Sequence, residues 1–492
     1  MRAAMAGGAT QIEMPAQVHV RERAVVALLS VCVFFSVLNT SMFNVSLPEI
    51  GREFAVSPAR LGWIVTAYSL LFGVSTPFYG RLGDRYGLRR MLITGLSLFS
   101  VASLLAAIAP SYPLLVICRA LQAIGTGAIP SLGTALIIRH VPEARRGAAL
   151  GITAATVGAG AALGPTLGGL ITQFLSWRAL FGVSALLGLA VPFARRLLPP
   201  SRPADSRLDL PGGLLLTGVV AGLLIGITNI ERHGLDSGLV LGPWMASLLS
   251  LLLLGWRIRT APDPFVPPSL LGNRAYLLAG AIAFLQSGAH FGMLVLVPLL
   301  LDRVNRLPAF EIGLAMLPSA AVMSLLSPLA GRLADRLGGL LPMRAGLALW
   351  AAGMVLLSSV GAGRSAVLVA GLLILCGAGM GLVNSASTVV VSALLPPERV
   401  GLGIGLYNMQ FFLGSAFGAA LTTTVLEARE PAVDGWNPLH SGAGAGFSDA
   451  FLITLAASLV ASLLAALVRA ERPRAEQAWS AELPQGGERC PS

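Results

Sequence analysis

One arginine, Arg119, lies inside a long apolar run, with Gln122 three residues on. A guanidinium offers five donors and does not give up its proton near neutral pH, so it can bind an anion, a polar ligand or backbone carbonyls but cannot carry a proton. Placing an arginine inside a membrane helix costs about 2.5–3.5 kcal/mol on insertion scales, so an idle one is not expected to persist. Two roles are open: a contact to a transported molecule, or a brace within a helix bundle. Asn39, Asn44, Tyr68, Gln122, Gln286, Asn384, Asn408 and Gln410 also fall in apolar runs. Their amide and phenol groups can orient a polar ligand or bond one helix to another. Phe291 and Tyr407 can stack on a ligand. His290 is the neutral-range titratable side chain inside a run, and serves either as a proton relay or as a packed histidine. No Asp or Glu lies well inside any run, and Glu427 sits near the outer end of one, as a solvated helix end or as a proton carrier. There is no helical metal-binding pair, no phosphate-cradling loop with lysine and no Ser/His/Asp set at motif spacing, which argues against an enzyme. Cys32, Cys118, Cys376 and Cys490 are not at metal or redox spacing, so no metal, disulfide or cofactor is expected.

The elements that must hold these residues are set by composition. Hydrophobic residues are 55% of the chain and charged ones 12%, with a mean hydropathy of +0.77. A soluble protein of 492 residues could not cover that much apolar surface. Fourteen apolar runs are read near 24–47, 61–80, 91–110, 113–138, 147–172, 177–197, 211–230, 239–257, 276–300, 312–331, 343–361, 365–393, 400–427 and 449–469. Each is long enough to cross a hydrocarbon core of roughly 30 Å as a helix. The 57 glycines are scattered through the runs, as suits close helix packing. The net charge of +11 comes from arginine with no lysine. With both termini inside, 25 arginines fall in cytoplasmic segments and 8 in outer loops, Arg119 completing the 34. This bias fits the positive-inside rule rather than nucleic-acid binding, and predicts a multi-pass inner-membrane protein with both termini cytoplasmic. The first run has no small-residue cleavage site and is read as a retained span.

An internal repeat organises the runs. Gly80-Arg-Leu-Gly-Asp84-Arg85-Tyr-Gly87 recurs as Gly331-Arg-Leu-Ala-Asp335-Arg-Leu-Gly338, each three residues after a proline, Pro77 or Pro328. Gly125 and Gly127 match Gly379 and Gly381, with Pro142 and Pro396 equally far downstream. Two related six-helix halves with an unmatched central pair of helices are therefore predicted. The expected division is 1–23 as a cytoplasmic N-terminal segment, 24–198 as the first half, 199–262 as linker and inserted pair, 263–470 as the second half, and 471–492 as a cytoplasmic tail. Paired halves imply a central cavity and alternating access by rocking. The position of Arg119 falls on Leu373 in the second half, so the fold itself does not demand an arginine there.

The loop from Gly80 through Asp84, Arg85 and Gly87 to Arg89 and Arg90 resembles the signature of the major facilitator superfamily between its second and third helices. There Gly permits a tight turn, Asp can accept from a helix N-terminus across the seam between halves, and the arginines can pair across it or meet lipid headgroups. The fifth run, with Gly160, Gly164, Pro165, Gly168 and Gly169, is similar to the antiporter signature of the superfamily's exporters. Glycines four apart make a smooth face and Pro165 bends the helix, as a moving helix contact requires; generic small-residue packing is the other reading. Arg119-Ala-Leu-Gln122-Ala-Ile-Gly125 is similar to the superfamily's intramembrane arginine motif. With Trp63 to Tyr68 and Trp177-Arg178, the chain from about 24 to 470 resembles the fourteen-helix drug:proton antiporter branch. The resemblance implies an all-α membrane fold and export of drugs, antibiotics or metabolites, usually driven by protons.

The resemblance breaks at one position. That branch carries an acid in Leu-Asp-x-Thr-x-x-Asn-Val-x-Leu-Pro, where this chain reads Leu38-Asn39-Thr40-Ser-Met-Phe-Asn44-Val-Ser-Leu47-Pro48. An amide keeps hydrogen bonds but cannot exchange a proton. A cavity with Arg119 and no acid would disfavour cationic substrates, because nothing offsets a desolvated cation. The expectation is a monomeric exporter of a neutral or anionic amphipathic molecule, in contact with membrane lipids, binding no nucleic acid and proton-coupled through a non-standard site. The alternative is a facilitative transporter, or a sensor or scaffold, that has lost coupling.

Overall fold

In lipid each backbone N–H and C=O must be satisfied within the segment, so apolar runs of this length form helices. The structure, a computed structural model, describes residues 16–56, 58–200, 208–234, 236–429, 435–440 and 444–468. Residues 1–15 of the expected N-terminal segment, the tail 471–492 with Cys490, and residues 431–434 and 441–443 lie outside the described residues. Among the described residues there are helices and no strands.

The first six membrane helices are α1 (Ala16–Glu53), α2 (Pro58–Tyr86), α3 (Leu88–Ala107), α4 (Tyr112–His140), α5 (Glu143–Phe174) and α6 (Trp177–Leu197). The inserted pair is α7 (Leu210–His233) and α8 (Gly238–Thr260). The last six are α9 (Arg274–Arg303), α10 (Ala309–Leu337), α11 (Leu340–Gly361), α12 (Ala366–Ala393), α13 (Val400–Arg429) and α14 (Ala445–Leu467). Among the described residues, thirteen helices are long and apolar enough to cross a membrane. The fourteenth expected run is α2, which lies between α1 and α3 in the chain and packs on α4. One boundary shifts: α1 starts at Ala16 rather than near 24. Glu22 in this early turn pairs with Arg145 at the start of α5 at 2.9 Å, so the turn has a partner the run alone does not reveal.

The repeat has a geometric counterpart. Gly87 and Gly338 follow α2 and α10, with φ of 96° and 80°. Only glycine takes these angles without steric cost, which is why both signatures end in it. Within the first six helices α1 packs on α5 and α3 on α4; within the last six α9 packs on α13 and α10 on α12. The two groups meet where α5 packs on α10 and α2 on α13. The inserted helices pack on each other, and α7 also rests on α2 and α13, over one of these seams.

Candidate functional site

Each Asp of the repeated signature reaches the opposite group of helices. Asp84, on α2, accepts from the backbone N–H of Gly401 at 3.3 Å and of Leu402 at 3.0 Å. These are at the start of α13, where N–H groups lack intrahelical partners and the helix dipole favours an anion. Asp335, on α10, accepts from the N–H of Gly147 at 2.6 Å and of Ala148 at 2.9 Å, near the start of α5. The halves thus exchange equivalent contacts on the arginine-rich side. The backbones touch there: a side chain at Gly80 would overlap the Gly401 carbonyl, and one at Gly331 the Gly147 carbonyl.

The arginines of the first signature have different partners. Arg85 lies over the ring of Tyr86 on its own helix. Arg89 donates to the Arg195 carbonyl at 2.6 Å, within the first six helices, and Arg90 is exposed. The side chain that pairs with Asp84 is Arg139, at 3.0 Å, which the sequence reading did not select.

The fifth helix has two smooth faces. Gly160, Gly164 and Gly168 face α1, against Phe34 to Leu38, Ser41 and Met42. A side chain added at Gly168 would meet the Met42 carbonyl at 2.7 Å. Gly147, Gly151 and Gly158 face α10, against Gly331, Ser327 and Ser324. Gly160, Gly164 and Gly168 therefore serve α1, and Gly147, Gly151 and Gly158 serve the seam. Gly169 has open space beside it and Pro165 is exposed.

Arg119 is 2% exposed and sits among five helices. It donates to Asn39 Oδ1 at 2.9 Å and to Gln122 Oε1 at 2.8 Å. Its guanidinium carbon lies 3.9 Å from the Phe43 ring centre and 4.2 Å from that of Tyr68. Around it, Asn39 Nδ2 donates to Ser184 Oγ at 2.6 Å and Gln122 Nε2 to Ser103 Oγ at 2.6 Å. The Tyr68 hydroxyl donates to Thr126 Oγ1 at 3.2 Å. The cation is held by amide oxygens and aromatic faces. Residues of α1, α2, α3, α4 and α6 all contribute to this network.

The polar residues predicted for the second half are not gathered in this way. Gln286 is buried, with Nε2 4.0 Å from Met380 Sδ, and its oxygen lacks a partner among the described residues. His290 packs between Phe291 and Trp350, with ring centres at 5.6 and 5.3 Å, and its Nδ1 likewise lacks a partner. Asn384, Asn408 and Gln410 are half-buried, Tyr407 is buried, and Asn44 and Glu427 are exposed. Trp177 donates to Glu53 and Arg178 pairs with the same carboxylate, joining α6 to the C-terminal end of α1. Among the described residues no cluster of three potential metal ligands occurs.

An aromatic row joins the two regions. Ring centres step from Tyr68 to Phe72 at 6.1 Å, across to Phe412 at 4.3 Å, then to Phe411 at 5.6 Å and Phe291 at 6.2 Å. From Phe291 the row reaches His290. The Phe72–Phe412 step crosses between α2 and α13. Tyr68, His290 and Phe291 were singled out from the sequence; Phe72, Phe411 and Phe412 were not, because phenylalanine in an apolar run gives no signal of its partner.

The family model of the Major Facilitator Superfamily matches residues 29–419 and 281–486. The chain is 33% identical over 398 residues to a multidrug resistance protein, Stp, of Mycobacterium tuberculosis, covering 80% of this chain and 74% of the relative. It is 32% identical over 472 residues to a cephamycin export protein, CmcT, of Amycolatopsis lactamdurans, covering 92% and 94%. It is 31% identical over 396 residues to a puromycin resistance protein, pur8, of Streptomyces alboniger, covering 79% and 78%. Among solved structures it is similar in fold to the human organic anion transporter MFSD10, with a TM-score of 0.66 at 18% identity, covering 92% of this chain and 100% of that one. It is also similar in fold to the proton:xylose symporter XylE, with a TM-score of 0.64 at 16% identity over 90% and 95%.

Proposed function

The chain belongs to the major facilitator superfamily, and we propose that it is a secondary active exporter of small, neutral or anionic amphipathic molecules that works by alternating access. Transport by a multi-pass membrane protein, rather than catalysis, follows from the family; direction, substrate and coupling are the proposal. The observation that carries it is the reciprocal pairing of Asp84 with the start of α13 and of Asp335 with the start of α5. Two such contacts, related by the repeat, close one side of the seam and can be broken together when the halves rock. Outward direction is supported by the Gly-Pro signature of α5 and by relatives named for cephamycin export and for multidrug and puromycin resistance.

Substrate class follows from charge and shape. Arg119 supplies a buried positive charge with Asn39, an amide, as its partner. The row Phe72, Phe412, Phe411 and Phe291 offers aromatic faces on which a planar or apolar part of a substrate can stack. Asn384, Asn408 and Gln410, half-buried on α12 and α13, are proposed to orient its polar end, with Gln286 and His290 beside the row. The setting proposed is a bacterial cytoplasmic membrane with both termini inside, the protein acting as a lipid-surrounded monomer. The arginine bias of 25 inside against 8 outside supports that orientation.

Proton antiport is the favoured energy source, since each proton moving inward is worth about 2.3 kcal/mol per 100 mV. A facilitative carrier is the second reading, favoured by Asn39 in place of an acid. Reconstitution into liposomes under an imposed pH gradient tests both. Substrate movement against its own gradient, with matching proton counterflow, supports antiport. Equilibration that ignores the gradient supports the facilitator, and no movement of any candidate substrate sinks transport.

A further inference from the structure

Arg81 and Arg332 occupy equivalent positions, each one residue after the first glycine of a signature. Arg332 is exposed, whereas Arg81 is 5% exposed. The difference is the connector 261–273, which joins the inserted helix α8 to α9. Its Asp263 forms an ion pair with Arg81. Its Phe265 is fully buried and packs on Phe78, three residues before Arg81, with ring centres at 4.9 Å.

The connector is itself tied down at both ends. The Phe265 N–H donates to Asp209 Oδ2 at 3.1 Å. The other Asp209 oxygen accepts from Gly212 at the start of α7 and from Arg257 at the end of α8, at 3.2 and 3.0 Å. Asp209 therefore closes the inserted hairpin and fixes the segment that bears on α2. Further along, Ser269 Oγ accepts from Arg399 at 2.6 Å, and Asn273 Nδ2 donates to the Leu394 carbonyl at 3.4 Å. Those partners lie in the turn between α12 and α13. One short segment thus touches α2 on one side of the seam and the α13 end on the other. Four residue steps separate Phe265 from Ser269, at most about 14 Å of extended chain. So short a tether resists a wide parting of α2 from α13.

We propose that the inserted hairpin and its connector form a latch over the α2–α13 seam, with the Arg81–Asp263 ion pair as the element that releases when the halves part on this side. The latch gives the two inserted helices a role in setting the resting conformation. The proposal rests on the alternating-access reading given above. It has its own readout, because opening can be measured without any substrate.

Ser131 is buried on α4, and its hydroxyl donates to the Gly401 carbonyl at 3.1 Å. In a background lacking the four native cysteines, Ser131→Cys reports on this seam through its reaction rate with a membrane-impermeant maleimide from the arginine-rich side. Asp263→Asn is expected to raise that rate about fivefold, the scale of losing one partly exposed ion pair. Exchanging the charges, Arg81→Asp with Asp263→Arg, is expected to return it towards the parent value. A parent-like rate for Asp263→Asn, alongside a raised rate for Asp84→Asn, overturns the latch and leaves rocking intact. Parent-like rates for both variants overturn the rocking reading on which the latch rests.

Discussion

Arg119 donates to the side-chain oxygen of Asn39 at 2.9 Å, joining α4 to α1 inside the first six helices. Eighty positions separate the two residues, and neither has a water-facing alternative, since they are 2% and 3% exposed. The pair explains how a chain can keep the arginine while lacking the acid. Asn39 accepts from the guanidinium with one atom and donates to Ser184 with the other. The aromatic faces of Phe43 and Tyr68 supply the remaining attraction to the cation.

Removing the cation should therefore be a structural lesion before it is a functional one. Arg119→Ala leaves the Asn39 and Gln122 oxygens buried without their donor, a loss of roughly 2–4 kcal/mol. Thermal unfolding in detergent should shift down accordingly. Arg119→Lys should recover little of it, because an ammonium cannot reach both amide oxygens and present a flat face to two rings. A full recovery by lysine would show that charge alone matters here.

Restoring the acid tests the charge argument. Asn39→Asp places a carboxylate against the guanidinium and converts a hydrogen bond with one charged partner into an ion pair. The buried region then carries no net charge, so transport of anionic substrates should fall relative to cationic ones by about tenfold or less. Competition between two substrates of opposite charge and similar size measures this. An unchanged ratio refutes a part for Arg119 in charge selection.

The smooth face of α5 makes a position-specific prediction. Gly168→Ala brings a methyl to 2.7 Å from the Met42 carbonyl, while Gly169→Ala meets nothing within 4 Å. Overpacking of this kind costs about 1–3 kcal/mol. The first variant should lower stability and slow transport, and the second should do neither. Equal behaviour of the two would mean that α1 and α5 do not pack as described.

The aromatic step across the seam can be measured as a coupling. Phe72 and Phe412 lie with ring centres 4.3 Å apart on α2 and α13. Their pairwise interaction is expected at about 0.5–1.5 kcal/mol beyond area burial. A double-mutant cycle of Phe72→Leu and Phe412→Leu, read by thermal stability, should return a value in that range. Strict additivity would show that the rings do not act together.

The seam carboxylates should behave as a related pair. Asp84→Asn and Asp335→Asn each weaken acceptance from two backbone N–H groups at a helix start. Spin-label distances between the arginine-rich ends of α2 and α13 should broaden towards longer values in either variant. A change in only one of them would mean that the repeat is structural without being shared mechanically.

Much of this architecture was legible in the chain. The bilayer requires internally bonded helices, so runs of twenty apolar residues announce themselves. The repeat of Gly80 to Gly87 at Gly331 to Gly338 disclosed two related groups of helices, and its aspartates lie against the starts of α13 and α5. Arg119 was conspicuous because its charge is expensive where it lies. What could not be read was direction. Arg85 and Arg89 could be read as pairing across the seam or meeting lipid headgroups; their partners lie within their own group, and Arg139 takes the place beside Asp84. On the fifth helix the spacing of four identified a smooth face without saying that it meets α1, or that a second set of glycines meets α10.

The sequence by itself determined the number of apolar runs, the two related groups and the residues too costly to be idle. Those properties arise from local transfer free energies and from backbone geometry, which act on each segment separately. The tertiary structure alone decided partners: Asn39 for Arg119, Phe412 for Phe72, Asp263 for Arg81. The physical reason is that lipid is as apolar as leucine, so hydrophobicity drives helices into the membrane but does not choose which faces meet. That choice falls to close packing of glycines and to a few buried polar bonds, which exist only once distant helices are side by side.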